Sequence, residues 1–183
     1  MKLTIGVMGS SSIQDALVAD MAERVGSAIA RRGAVLITGA TSGFPLAAAK
    51  GAKQAGGEVI GFSPALTVSE HDSLGLPFQY HDLIIYTGLT YKGRNLLNVR
   101  ASLGLIFIGG SMGTLNEFTI AYDEEKILGV LEGSGGFCDQ MNQWMKYLAK
   151  SGNRAVLHYR HDPEELVAQV FDSVQRQFAD LSR

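Results

Sequence analysis

The chain has 183 residues, of which 46% are apolar and 19% charged, and its net charge is −2. That length holds one domain with a core of its own and little more, so residues 1–183 read as a single domain. Interspersed acids and bases exclude a nucleic-acid-coating surface and a polybasic membrane patch. No apolar stretch reaches the ~18 residues of a membrane span, and Met1 to Met8 is too short for a signal core, so a soluble cytoplasmic protein is expected. The single cysteine, Cys138, has no disulfide partner and no recognisable pairing with His71, His81, His158 or His161. It reads as a packed residue in a helix. No Asp, Glu or His cluster shows metal-ligand spacing, and none is expected to hold a metal.

Short apolar runs alternate with longer helical patterns. The first strand is Leu3 to Met8, and Ile13 to Arg32 then places Leu17, Met21, Val25 and Ile29 at helical spacing. Ala34 to Thr38 is a second strand. An alanine-rich helix from Phe44 to Ala55 follows, closed by Gly56-Gly57. Glu58 to Phe62 is the third strand, and Ser63 to Gln79, with Pro64 and Pro77, reads as a surface excursion. Asp82 to Tyr86 and Leu103 to Ile108 are strands flanking a helix from about Arg94 to Ser102. Gly113 to Lys126 is helical and Ile127 to Leu131 a sixth strand. Met141, Trp144, Met145 and Leu148 form the stripe of a core-facing helix. Ala155 to His158 suggests a seventh strand, and Asp162-Pro163 starts a last helix, with Asp162 as its cap. Continuous apolar strands in βα repeats predict a Rossmann-like three-layer αβα sandwich with a parallel sheet of six or seven strands.

In such a sheet the loops after the strands share one edge, where ligands bind. Those loops are Gly9-Ser10-Ser11-Ser12, Thr38-Gly39-Ala40-Thr41-Ser42-Gly43, Thr87 to Arg94, and Gly109-Gly110-Ser111-Met112-Gly113-Thr114. Glycine lets successive N–H groups approach an anion, each loop opens a helix with unpaired N–H groups, and hydroxyls add donors. Four such loops on one edge make a phosphate cradle. The candidate contacts are Gly9, Ser10, Ser11, Thr38, Gly39, Ser42, Gly43, Gly109, Gly110, Ser111, Met112, Gly113 and Thr114. There is no Walker A motif, and Gly6-Val7-Met8-Gly9 does not match a dinucleotide fingerprint.

The segment Gly109-Gly110-Ser111-Met112-Gly113-Thr114-Leu115-Asn116-Glu117 resembles the P-G-G-x-G-T-x-x-E signature of the Lonely Guy family. These are cytokinin-activating phosphoribohydrolases, often mislabelled as lysine decarboxylases. Residues 38–61 look like that family's second βαβ unit, and Gly9-Ser10-Ser11 resembles its first loop. Arg94 precedes Glu117 by 23 residues, the spacing of the family's catalytic arginine and glutamate. The resemblance covers roughly residues 3–132. The sequence departs at Ile108, which replaces the signature proline, at Asn95, and at Asn116, where the enzymes carry a second acid. In these departures it looks more like a sister group that includes molybdenum-cofactor carrier proteins.

The resemblance implies two functions. One is hydrolysis of the N-glycosidic bond of a nucleoside 5′-monophosphate, with Glu117 and Arg94 catalytic. The other is non-enzymatic carriage or sensing of a phosphorylated ligand such as molybdenum cofactor. Neither requires a resident cofactor, and in the second the molybdenum cofactor is cargo. The implied partner is a small phosphorylated ligand, with no nucleic acid and no membrane. The resemblance also implies a homodimer or higher homo-oligomer, joined through the helices around Asn95 to Ser102 and Leu115 to Lys126.

Overall fold

A computed structural model describes residues 1–12 and 15–181. Seven strands form one sheet: β1 (Thr4–Gly9), β2 (Val35–Thr38), β3 (Glu58–Ser63), β4 (Leu83–Tyr86), β5 (Gly104–Ile108), β6 (Ile127–Leu131) and β7 (Val156–Arg160). Every neighbouring pair is parallel, in the order β4-β3-β2-β1-β5-β6-β7. Parallel neighbours need a crossover, and helices supply each one. They are α1 (Ala16–Arg31), α2 (Phe44–Gln54), α3 (Val68–Ser73), α4 (Thr90–Ala101), α5 (Met112–Asp123) and α6 (Gly136–Leu148), with α7 (Pro163–Leu181) closing the chain.

The two faces of the sheet bury different side chains because strand residues alternate. Ile5, Val7, Leu36, Val59 and Ile106 pack with α1, α2 and α7. Met8, Leu105, Phe107, Leu128 and Val130 pack with α4, α5 and α6. Each fully buried Ile or Leu contributes about 1.5–3 kcal/mol. Three layers result, as the apolar strands predict. The chain steps outward from β1 to β4 and then returns to lay β5 on the other side of β1. Strand order therefore reverses between β1 and β5. The loops leaving these two strands part there, which opens a crevice.

Several boundaries differ from the sequence expectation. The expected helix start at Ile13 lies outside the described residues, and α1 begins at Ala16, capped by Asp15. Its buried face is Val18, Ala22, Val25 and Ile29, whereas Leu17, one position off that face, is 77% exposed. The excursion after β3 contains α3. Thr67 accepts from Glu70 N–H, and the Glu70 carboxylate reaches back to Leu66 N–H. This T-x-x-E pattern is close to a capping box. Helix α4 starts at Thr90 rather than Arg94, which moves Arg94 into its second turn. In α6, Met141 is buried, while Trp144 and Leu148 of the expected core stripe are exposed. Cys138 is buried in α6, and burial pushes its thiol up to about 12. A thiol so disfavoured as thiolate is inert as a nucleophile. No helix among the described residues is long and apolar enough to cross a membrane.

Candidate functional site

The loops after β1 and β5 border two clefts. The smaller, about 240 Å³, is lined by Gly9, Ser10, Ser11, Ser12 and Thr41, by Tyr91, Lys92, Arg94 and Asn95 of α4, and by Ser111, Gly113, Thr114 and Glu117. The larger, about 420 Å³, lies towards α1 and α6, with Asp15, Phe44, Gly109, Gly110, Ser134 and Asp139 among its walls. Ser10, Ser12 and Ser111 line both, so the clefts are two lobes of one trough across the strand-order reversal.

Most of the expected contacts reach this trough. The β2 loop supports it from behind. Thr38 Oγ1 bonds His81 Nε2 at 2.8 Å and accepts from Ala40 N–H. Burial lowers the pKa of His81, so this ring is a neutral structural partner. Ser42 Oγ donates to Ser11 O, and Phe44 N–H donates to Ser10 O, so the start of α2 fixes the β1 loop. Gly43, at φ 81°, is the turn that permits this, since a Cβ there would stand 2.0 Å from Ser10 O. Met112 points away, 71% exposed, and lines neither cleft.

The helix starts around the trough differ in charge. Asp15 caps α1. In α6, Asp139 accepts from Gly133 and Gly135 N–H. Helices α4 and α5 have no capping side chain and no acid in the first turn. Both border the smaller lobe; Thr90 N–H, the first of α4, donates to Pro64 O, and the other first-turn N–H groups with their partial positive charge remain available. Lys92 adds a cation there.

At the floor of this lobe, Arg94 and Glu117 form a buried ion pair, with Nη1 to Oε1 at 3.1 Å and both side chains 7% exposed. Arg94 Nη1 also donates to Asn95 Oδ1, and Asn95 Nδ2 donates to Asn116 Oδ1, each at 2.8 Å. Asn98 Nδ2 donates to Glu117 Oε1 at 3.1 Å. Burial pushes the Glu117 carboxyl above the usual carboxylate range, against the pull of Arg94 and Asn98. Burial also works against the Arg94 charge. A guanidinium starts so far above neutrality that it keeps its proton, so Glu117 is the group that responds. Gly39 makes room for this pair, because a Cβ on it would stand 2.2 Å from Arg94 Nη2. Arg94 Nε is buried without a protein hydrogen-bond partner.

The structure brings together Arg94 and Glu117, which are distant in sequence. Sequence reasoning missed Asp15, Asn98, Ser134 and Asp139. The signal for two of them was present, since Gly133-Ser134-Gly135-Gly136 follows a strand just as the other glycine loops do. Among the described residues no cluster of three or more His, Cys, Asp or Glu could hold a metal ion. His158 instead pairs with Ser173 Oγ at 3.0 Å.

A sequence model of the SLOG cluster4 family matches residues 2–167. Among solved structures, the structural-genomics target TM1055 superposes with TM-score 0.82 at 25% identity, covering 94% of this chain and 99% of its own. The molybdenum cofactor binding protein of the phototrophic bacterium Rippkaea orientalis gives TM-score 0.76 at 28% identity, over 95% and 98% of the two chains. The molybdenum cofactor carrier protein of Chlamydomonas reinhardtii gives 0.74 at 28% identity, over 94% and 98%.

Proposed function

Because the chain belongs to the SLOG cluster4 family, we propose that it binds a phosphorylated, nucleotide-like small molecule across the β1–β5 crevice, with the phosphate in the smaller lobe. The observation that carries this reading is the pair of uncapped, acid-free helix starts of α4 and α5 beside Lys92. Ser10, Ser11, Ser111 and Thr114 supply hydroxyl donors. Gly110 shapes the loop, at φ 93° and so close to Thr114 that a Cβ would stand 2.3 Å from its Oγ1.

We read the site as that of a carrier or sensor, with molybdenum cofactor among the fitting cargoes, as the two molybdenum-cofactor proteins suggest. Glycosidic hydrolysis ordinarily uses free carboxylates, and Glu117 in the smaller lobe is engaged by Arg94 and Asn98. The raised Glu117 carboxyl favours a second reading, in which it serves as a proton donor to a leaving base. The two are separated by incubating the protein with AMP and N6-substituted AMP and resolving the products by chromatography. Intact nucleotide that binds without turnover is the expected result. Free base and ribose 5-phosphate, lost in Glu117→Gln, would establish the hydrolase instead.

Self-association belongs to the same proposal. Leu83 and Ile85 project from edge strand β4 with 53% and 38% exposure, and Leu89 and Tyr91 near the start of α4 are also exposed. Val99 in the expected interface helix is fully buried, so it serves the core of its own chain. A second copy covering the β4 face would bury the apolar residues left in water. Sedimentation velocity is expected to show a dimer or larger species, and Leu83→Asp to shift it towards monomer. A monomeric wild type sinks this part of the proposal.

A further inference from the structure

The two lobes of the trough have opposite characters. The glycines at 133, 135 and 136 all have left-handed φ, between 57° and 79°. Successive glycines in such turns make a backbone nest for an anion. Here the anion belongs to the chain itself: Asp139 Oδ1 accepts from Gly133 N–H at 2.8 Å and Oδ2 from Gly135 N–H at 3.2 Å. Three neighbouring donors are also engaged. Gly109 N–H donates to Ser134 Oγ, Phe137 N–H to Gly110 O, and Leu17 N–H to Asp15 Oδ1. The larger lobe therefore presents two carboxylates, while the smaller presents Lys92 and the open starts of α4 and α5.

We propose that Asp139 is a specificity determinant: it fills the nest after β6 with the protein's own negative charge, so the larger lobe accepts an uncharged, hydrogen-donating arm of the ligand and rejects a second phosphate. This rests on the phosphate site proposed above. The shared serines join the lobes, so a ligand anchored by one phosphate in the smaller lobe extends its organic part into the larger. Base N–H or sugar O–H groups meet the remaining lone pairs of Asp15 and Asp139. A second phosphate there meets like charges, and the nest N–H groups of Gly133 and Gly135 that could offset the repulsion are already held by Asp139.

The test is calorimetric titration of the wild type and Asp139→Asn with AMP and with adenosine 3′,5′-bisphosphate. The wild type is expected to prefer AMP by about tenfold, and Asp139→Asn to close most of that ratio by gaining bisphosphate affinity. Asp15→Asn, which retains a good helix cap, is expected to move the ratio in the same direction and serves if Asp139→Asn does not fold. AMP binding with a ratio that neither variant moves overturns the role of Asp139 and leaves the phosphate site standing. Failure of the folded wild type to bind either nucleotide overturns both.

Discussion

Arg94→Ala is expected to lower the unfolding free energy by about 3–5 kcal/mol near neutral pH, the cost of removing one partner from a buried ion pair. Glu117 would then sit in a nearly closed wall with Asn98 as its remaining donor. The penalty exceeds that of an exposed pair because water cannot replace the lost guanidinium. Its sign with pH is distinctive. The folded Glu117 carboxyl already titrates above its unfolded value through burial, and without Arg94 it rises further. A group with a raised folded pKa holds its proton more tightly in the folded state. Its contribution is fully favourable below the unfolded pKa and is lost as pH rises through the folded one. Arg94→Ala should therefore come closest to wild type in mild acid and fall away towards neutral pH. Urea unfolding at pH 5 and pH 7.5 reads both effects. A loss under about 1 kcal/mol, or one that grows in acid, would be inconsistent with this buried pair. Glu117→Gln keeps the shape and one acceptor for Arg94 but leaves the guanidinium buried without a counter-charge, so it too should destabilise the fold.

The second large effect is at Gly26, in the interior of α1. By helix propensity alone, Gly26→Ala should stabilise by about 1 kcal/mol. The opposite is expected, because α1 and α2 touch backbone to backbone there. A Cβ on Gly26 would stand 1.8 Å from Ala48 O, and one on Gly51 in α2 would stand 1.9 Å from Glu23 O. Neither clash involves a side chain that could rotate away, so the helices must separate. Overpacking of this kind costs about 1–3 kcal/mol or more. The displacement also reaches the crevice, since the start of α2 holds the β1 loop through Phe44 N–H and Ser42 Oγ. Thermal unfolding of Gly26→Ala should show a lower midpoint, and AMP binding should weaken with it. An unchanged or higher midpoint would mean that the helices do not cross at these glycines.

The two effects concern different links between sequence and function. Arg94 and Glu117 line the smaller lobe, and their pairing places a charge-balanced floor beneath it. Gly26 and Gly51 lie far along the helices, yet they set how closely α2 approaches α1 and so where Gly43 can hold Ser10. The crevice thus depends on packing beneath it as much as on the loops that line it.

The sequence by itself determined the parallel three-layer sandwich, because seven apolar runs separated by helical periods admit few other arrangements. It also determined the edge on which the glycine and hydroxyl loops gather, since every strand of a parallel sheet points the same way. Arg94 and Glu117 were singled out through the resemblance, and their ion pair was not legible in the sequence. The true start of α4 was not legible either, because Thr90, at φ 58°, has no capping signal in its sequence. Nor was the exposure of Trp144 and Leu148, since a periodic stripe says which face is apolar but not how far a neighbour covers it. Only the tertiary structure decided which helix starts are open to an anion. Asp139 lies downstream of the loop it caps, and whether its carboxylate turns back onto Gly133 and Gly135 depends on the left-handed turns between them. The division of one trough into a cationic and an anionic lobe is therefore a property of the folded chain, set by where local charges are spent on the protein's own backbone.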